Sequence, residues 1–226
     1  DSDRTGHGES CPRPYVTGET IDSAREFFAR HEASLRERVV DLASLRAWVD
    51  DERQDVDRNP AAWCAIELAI FDLLARESGV TVEALLALPP LAGRFHYSAV
   101  LGDMGREAFD ATVAQYRKQG FTDFKIKVSG ALDRDRDKVA RLRQWDGIRV
   151  RIDANNLWRT ADEAVAFLSS LDYPLFTVEE PIGAGEYDEL ARIAPRLGCT
   201  IVLDESFLRV SQIGRLAGHP DLWLIN

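Results

Sequence analysis

Residues 149–181 read RVRIDANNLWRTADEAVAFLSSLDYPLFTVEEP, and the fold turns on how they are parsed. Ile148 to Ile152 and Leu175 to Val178 are short apolar runs of strand type, and Ala161 to Leu171 between them carries a helical pattern. A strand, a helix and a strand joined by short links make a parallel pair whose crossover is the helix. The alternation continues on both sides. Strand-like runs fall at His96 to Leu101, Phe124 to Val128, Thr200 to Leu203 and Leu222 to Ile225, separated by helical patterns at Arg106 to Gln119, Arg134 to Trp145, Tyr187 to Leu197 and Ser211 to Ala217. Two architectures accommodate this, a doubly wound open sheet and a (β/α)₈ barrel of the TIM type, here with about six strands.

Upstream of Pro89-Pro90 the texture changes. GHGESCPRPYV, between Gly6 and Val16, reads as a strand end followed by an irregular loop, and helix then follows helix. Thr20 and Asp22 can cap a segment through Phe27, Phe28 and Leu35, Asp41 to Asp50 is helical in spacing, and Asn59-Pro60 opens a longer helix that stops near Gly79. The expected division is therefore residues 1–92, a partial α+β capping domain with its helices, and residues 93–226, a partial barrel.

Composition narrows the function classes. Hydrophobic residues make up 45% of the 226 and charged residues 29%, a globular balance, and 38 acidic against 28 basic residues give a net charge of −10. That charge repels nucleic-acid phosphates and anionic membranes, so neither is expected as a partner. Three widely spaced cysteines, Cys11, Cys64 and Cys199, form neither a disulfide framework nor a metal motif, which fits a cytoplasmic protein.

Acidic residues recur at the ends of the strands. Alternation places Asp153, Glu179 and Asp204 on the face opposite Ile152, Val178 and Leu203, with separations of 26 (179 − 153) and 25 (204 − 179) residues. Equal separation implies equal height on neighbouring strands. A lone Asp at a strand end commonly caps a helix or joins a salt bridge, but three converging carboxylates repel one another unless a hard divalent cation, Mg²⁺ or alternatively Mn²⁺, neutralises them. On the preceding strand Lys125 and Lys127 share a face. On an exposed edge such a pair only solubilises; on an internal strand the two ammonium groups disfavour each other's charge and lower the pKa of one, which can then serve as a base. A divalent cation beside a neutral lysine suits abstraction of a proton α to a carboxylate, with Lys127 as base and Lys125 tuning it.

The motifs FKIKV (Lys125, Lys127), RIDANN (Asp153, Asn155), VEEP (Glu179, Glu180) and LDES (Asp204, Glu205) resemble, in order and spacing, those of the enolase superfamily and specifically its muconate lactonizing enzyme-like branch. The resemblance implies Lys127 as acid/base with Lys125 as its electrostatic partner, Asp153, Glu179 and Asp204 as Mg²⁺ ligands, and Asn155 and Glu205 supporting them. It also implies an enolate intermediate formed from a small-molecule carboxylate substrate, in a racemase or epimerase, a cycloisomerase or an o-succinylbenzoate synthase-like syn-dehydratase, and a homo-oligomer. Glu180, whose side chain should face away from that of Glu179, is the weaker ligand candidate. Family members carry further capping strands and a second catalytic lysine past the sixth strand, so the chain reads as the central piece of a longer enzyme. A different class, a catalytically inactive barrel kept as an oligomeric scaffold, is opposed by the intact lysine and carboxylates.

Overall fold

Side-chain caps start the helices where the sequence marks them. In the computed structural model, which describes residues 5–219 and 222–224, α1 (Ile21–Arg38) begins at Thr20 and α2 (Leu42–Asp51) at Asp41. Each cap accepts from the N–H three residues on, and Ser23 or Ser44 reaches back to close a capping box. After the short α3 (Arg53–Arg58), α4 (Pro60–Ser78) has proline in its first turn and ends on Gly79 at φ +68, and α5 (Val82–Leu85) follows. The first free N–H groups of α4, on Ala61 and Ala62, donate to buried Glu19 at 2.8 and 2.9 Å.

These helices belong to one of two compact units, Asp1–Gly93 with Leu208–Ser211; the other is Arg94–Phe207 with Gln212–Asn226. The helical unit is cored by Phe27, Leu45, Trp48 and Trp63, with the two indoles stacked at 5.2 Å. No strand occurs among its described residues, so the strand end expected before the first loop is not found from Thr5 onward; residues 1–4 lie outside the described set. Gly6 and Gly8 instead lie against α4. A Cβ on Gly6 would come within 2.0 Å of the Ala69 carbonyl oxygen and one on Gly8 within 1.8 Å of that of Ala65, an approach only glycine permits.

The second unit alternates as the sequence predicts: β1 (Ser98–Leu101), α6 (Arg106–Lys118), β2 (Asp123–Lys127), α7 (Leu132–Leu142), β3 (Arg149–Asp153), α8 (Ala161–Ser170), β4 (Leu175–Glu179), α9 (Tyr187–Leu197), β5 (Thr200–Leu203), α10 (Ile213–Leu216) and β6 (Leu222–Leu224). The first strand starts at Ser98 rather than His96, and Ile225 lies outside the described residues. All five pairings are parallel and the strand order is the chain order, β1 to β6. A doubly wound sheet reverses its order at a switch point; this one never does. With right-handed crossovers, that puts every helix on one face and gives the winding of a (β/α)₈ barrel.

On the helix-covered face Phe124, Ile126, Val150, Ile152, Val178, Ile201 and Leu203 pack with Phe109, Leu142, Leu168, Leu190 and Ile193, all at 0–1% exposure. The opposite face carries the charged residues. Asp153 is the register partner of Glu179, but Glu179 is opposite Val202, so Asp204 stands two residues further along, past the end of β5. The inference of equal height is therefore correct for the first pair and wrong for the third carboxylate. Sequence separation counts the helix and its links, whereas height depends on the stagger between neighbouring strands, which in a barrel is not zero.

Candidate active site

The end of β2 is fixed before any chemistry is considered. Asp135, fully buried in the first turn of α7, accepts from the N–H groups of Ser129 and Gly130 at 3.0–3.1 Å, and from Lys138 Nζ at 3.0 Å. Lys138, itself buried, donates to the carbonyl oxygen of Lys127 at 2.9 Å. A helix thereby holds the backbone of the strand end from which Lys127 projects. Neither Asp135 nor Lys138 was singled out from the sequence; an acidic and a basic residue three apart on a helix look like an ordinary surface pair.

Lys125 reaches across two strands. Its Nζ lies 3.2 Å from Asp153 Oδ2 and 3.1 and 3.0 Å from the two oxygens of Glu179, while Lys127 Nζ lies 3.5 Å from the same Asp153 oxygen. Asp153 and Glu179 are buried, and Lys127 is 43% exposed. Burial alone would pull the Lys125 pKa down, but the hydrogen bond to Glu179 and the charges of Asp153 and Glu179 outweigh it, and the pKa is raised. The lysine pair thus does not lower Lys125; two carboxylates within 3.2 Å decide the sign. Burial pushes Glu179 up, and the neighbouring charges of Asp153 and Asp204 push the same way against the relief given by Lys125.

Asp204 is exposed and makes no part of the Lys125 cluster, although its charge is felt at Glu179. Asn155, also exposed, has φ +45, and its N–H is 3.3 Å from Asp153 Oδ1. Glu205 acts through its charge on Glu180, which burial has already pushed up. It is Glu180 whose carboxylate takes the hydrogen bonds of the turn after β5, at 2.6–2.7 Å from Asp204 N, Ser206 N and Ser206 Oγ. Strand alternation points to neither Glu180 nor Ser206 for this role, because the geometry begins where the strands stop.

The chemistry of the donor set, though not its present arrangement, suits a hard divalent cation. The donor set is three carboxylates with no sulfur or imidazole, and Glu179 sits under the field of two like charges. The carboxylates are not gathered as they stand: among the described residues no three His, Cys, Asp or Glu side chains form a metal-holding group, and the Lys125 ammonium lies against Asp153 and Glu179. A cavity of about 1100 Å³ belongs to the helical unit and is walled mostly by apolar residues such as Phe28, Leu35 and Ile66. Chemistry-bearing side chains meet at the strand ends instead. No helix among the described residues is long and apolar enough to cross a membrane.

Comparison with known proteins gives one family match, the enolase C-terminal domain-like model, over residues 108–220. Relatives include the hydrophobic dipeptide epimerase of Enterococcus faecalis, 27% identical over 89% of this chain and 56% of that protein, and the L-Ala-D/L-Glu epimerase of Bacillus subtilis, 28% identical over 100% and 62%. The chain thus spans a little over half the length of the curated relatives it matches. A solved dipeptide epimerase from Enterococcus faecalis, complexed with Mg and the dipeptide L-Leu-L-Tyr, superposes with a TM-score of 0.77 at 24% identity, covering 96% of this chain and 61% of that one.

Proposed function

We propose, from the premise that this chain belongs to the enolase C-terminal domain-like family, that it is part of an enzyme that removes the proton α to a carboxylate of a small-molecule substrate. The product is an isomer, by racemisation, epimerisation or cycloisomerisation, or the acid left by syn-dehydration. The observation that carries the reading is the meeting of Lys127, Lys125, Asp153 and Glu179 within 3.0–3.5 Å contacts at the ends of adjacent strands. Its relatives include dipeptide epimerases and an N-succinyl-L-Arg/Lys racemase, and a dipeptide or an N-acylated amino acid is the substrate class assigned here.

Asp153, Glu179 and Asp204 would hold Mg²⁺, with Mn²⁺ as a substitute. When bound, the cation supplies positive charge against the negative charge that develops on the substrate carboxylate. The chain's own side chains do the remaining work. Lys127 Nζ, partly open to the site, takes the α-proton in its neutral form and can return one. Lys125, clasped by two carboxylates, remains a cation beside the site and contributes fixed positive charge. The Lys138 bond to the Lys127 carbonyl keeps the base's backbone from swinging. The protein acts in the cytoplasm and as a homo-oligomer in the same reading.

The test is solvent exchange. Full-length protein carrying this sequence, incubated in D₂O with a panel of L,L-dipeptides and N-succinylamino acids, should place deuterium at one α-carbon by NMR or mass spectrometry, and EDTA should stop it. Absence of exchange across the panel with metal present would favour the inactive scaffold instead.

A further inference from the structure

Glu180 is a buried carboxylate that the proposed reaction does not use. It is 0% exposed, follows Glu179 directly, and has φ +39, a region costly for any residue other than glycine. Its backbone joins three strand ends: its N–H donates to the Val202 carbonyl at 3.1 Å, and its own carbonyl accepts from Asn156 N at 2.7 Å. Its side chain extends the connection. Oε1 accepts from Asp204 N at 2.7 Å and Ser206 N at 2.6 Å, and Oε2 from Ser206 Oγ at 2.7 Å. Ser206 is anchored in turn, its hydroxyl accepting from Gly185 N at 2.9 Å and its carbonyl from Tyr187 Oη at 2.6 Å.

We propose that Glu180 is a positioning residue for the cation site: by holding the Asp204 N–H it fixes a carboxylate that stands two residues beyond the register partner of Glu179. Among the described residues β5 ends at Leu203 and no ladder bond reaches Asp204, whose N–H goes to the Glu180 side chain instead. The buried carboxylate substitutes for the missing ladder bond and sets where the Asp204 side chain starts. Reach matters in this role and charge does not. The inference rests on the reading of Asp204 as a ligand.

Two variants separate reach from charge. Glu180→Gln keeps an acceptor at the same distance and removes the charge; Glu180→Asp keeps the charge and withdraws the oxygens by one methylene. Mn²⁺ affinity of the full-length protein, measured by the fall in free-ion EPR signal, reads the site without substrate, and far-UV circular dichroism reports folding. Glu180→Asp should weaken Mn²⁺ about tenfold or more while Glu180→Gln stays within about threefold, the scale on which groups orienting metal ligands act. The reverse order, or full affinity in folded Glu180→Asp, overturns the proposal. Asp204→Asn is the control on the underlying reading: unchanged Mn²⁺ binding in that variant overturns Asp204 as a ligand and the proposal with it. Lost binding there with none lost in Glu180→Asp overturns the proposal alone.

Discussion

On the helix-covered face of the sheet Phe124, Ile126, Val150, Ile152, Ile201 and Leu203 are closed off from water, and between them along the same strands Lys125, Lys127, Arg151 and Asp153 face the other way. The first face is dry and made of interchangeable apolar groups. The second crowds like charges, leaves Glu179 under repulsion from Asp153 and Asp204, and relieves it with a single ammonium. Burial of that kind adds little to stability and is retained where a charge is needed for something else. The contrast assigns stability to one face and chemistry to the other, and each half can be broken separately.

The largest effect belongs to the charged face. Lys127→Ala should cut α-proton exchange by about 10²–10⁴-fold or more, the usual worth of a positioned acid/base. Its melting temperature should barely move, since the side chain is 43% exposed. Exchange at the wild-type rate would take Lys127 out of the base role. Ile152→Ala tests the dry face. Ile152 sits at 0% exposure within the helix-packed cluster, and its truncation should cost about 2–5 kcal/mol of unfolding free energy in urea titrations. Residual folded protein should keep exchange activity. A loss under about 1 kcal/mol would mean that the face is looser than drawn.

Cys199, just before β5 and packed against the same cluster, sharpens the comparison. Burial pushes its thiol from 9.0 up to about 11. Near neutral pH its thiolate fraction should then lie well below that of the same cysteine in unfolded chain. Iodoacetamide followed by peptide mass spectrometry should find Cys199 labelled late in native protein and promptly in urea. Prompt native labelling would show water at this edge of the dry face.

Periodicity in the sequence encodes some of these features and not others. Alternation within a strand depends on neighbouring residues, so it separated Ile152 from Asp153 and Ile126 from Lys127 correctly, and the repeated strand–helix pattern foretold the parallel sheet. Stagger between strands depends on closure of the sheet, and 25 residues from Glu179 to Asp204 say nothing of it. The role of Glu180 depends on one residue at φ +39 just past a strand, where the two-residue period stops applying. The sign of the Lys125 shift depends on distances to Asp153 and Glu179 across two strands, which no local pattern contains.

The smallest effect carries the most information about the charged face. In metal-free protein with EDTA, Glu179→Gln keeps the shape of the side chain, removes the repulsion with Asp153 and Asp204, and leaves Lys125 paired to Asp153 at 3.2 Å. Unfolding free energy should therefore change by no more than about 1 kcal/mol, unlike removal of a sole partner from a buried pair. Its pH dependence has a definite sign. The folded-state pKa of Glu179 lies above the 4.5 of the unfolded chain, so folding favours the protonated form. The stability this contributes is full below the unfolded value and is lost as pH rises through the folded one. Melting temperatures of the two proteins should thus draw together in acid, and the variant should gain on the wild type as pH climbs toward neutrality. If Glu179 is a ligand as proposed, saturating Mg²⁺ should reverse that order, because a cation held by the folded wild type would raise its melting point while the amide would have lost a ligand. A variant that falls behind as pH rises without metal would mean that the Lys125 pair outweighs the repulsion, and the division of labour between the two faces would fail at its most crowded residue.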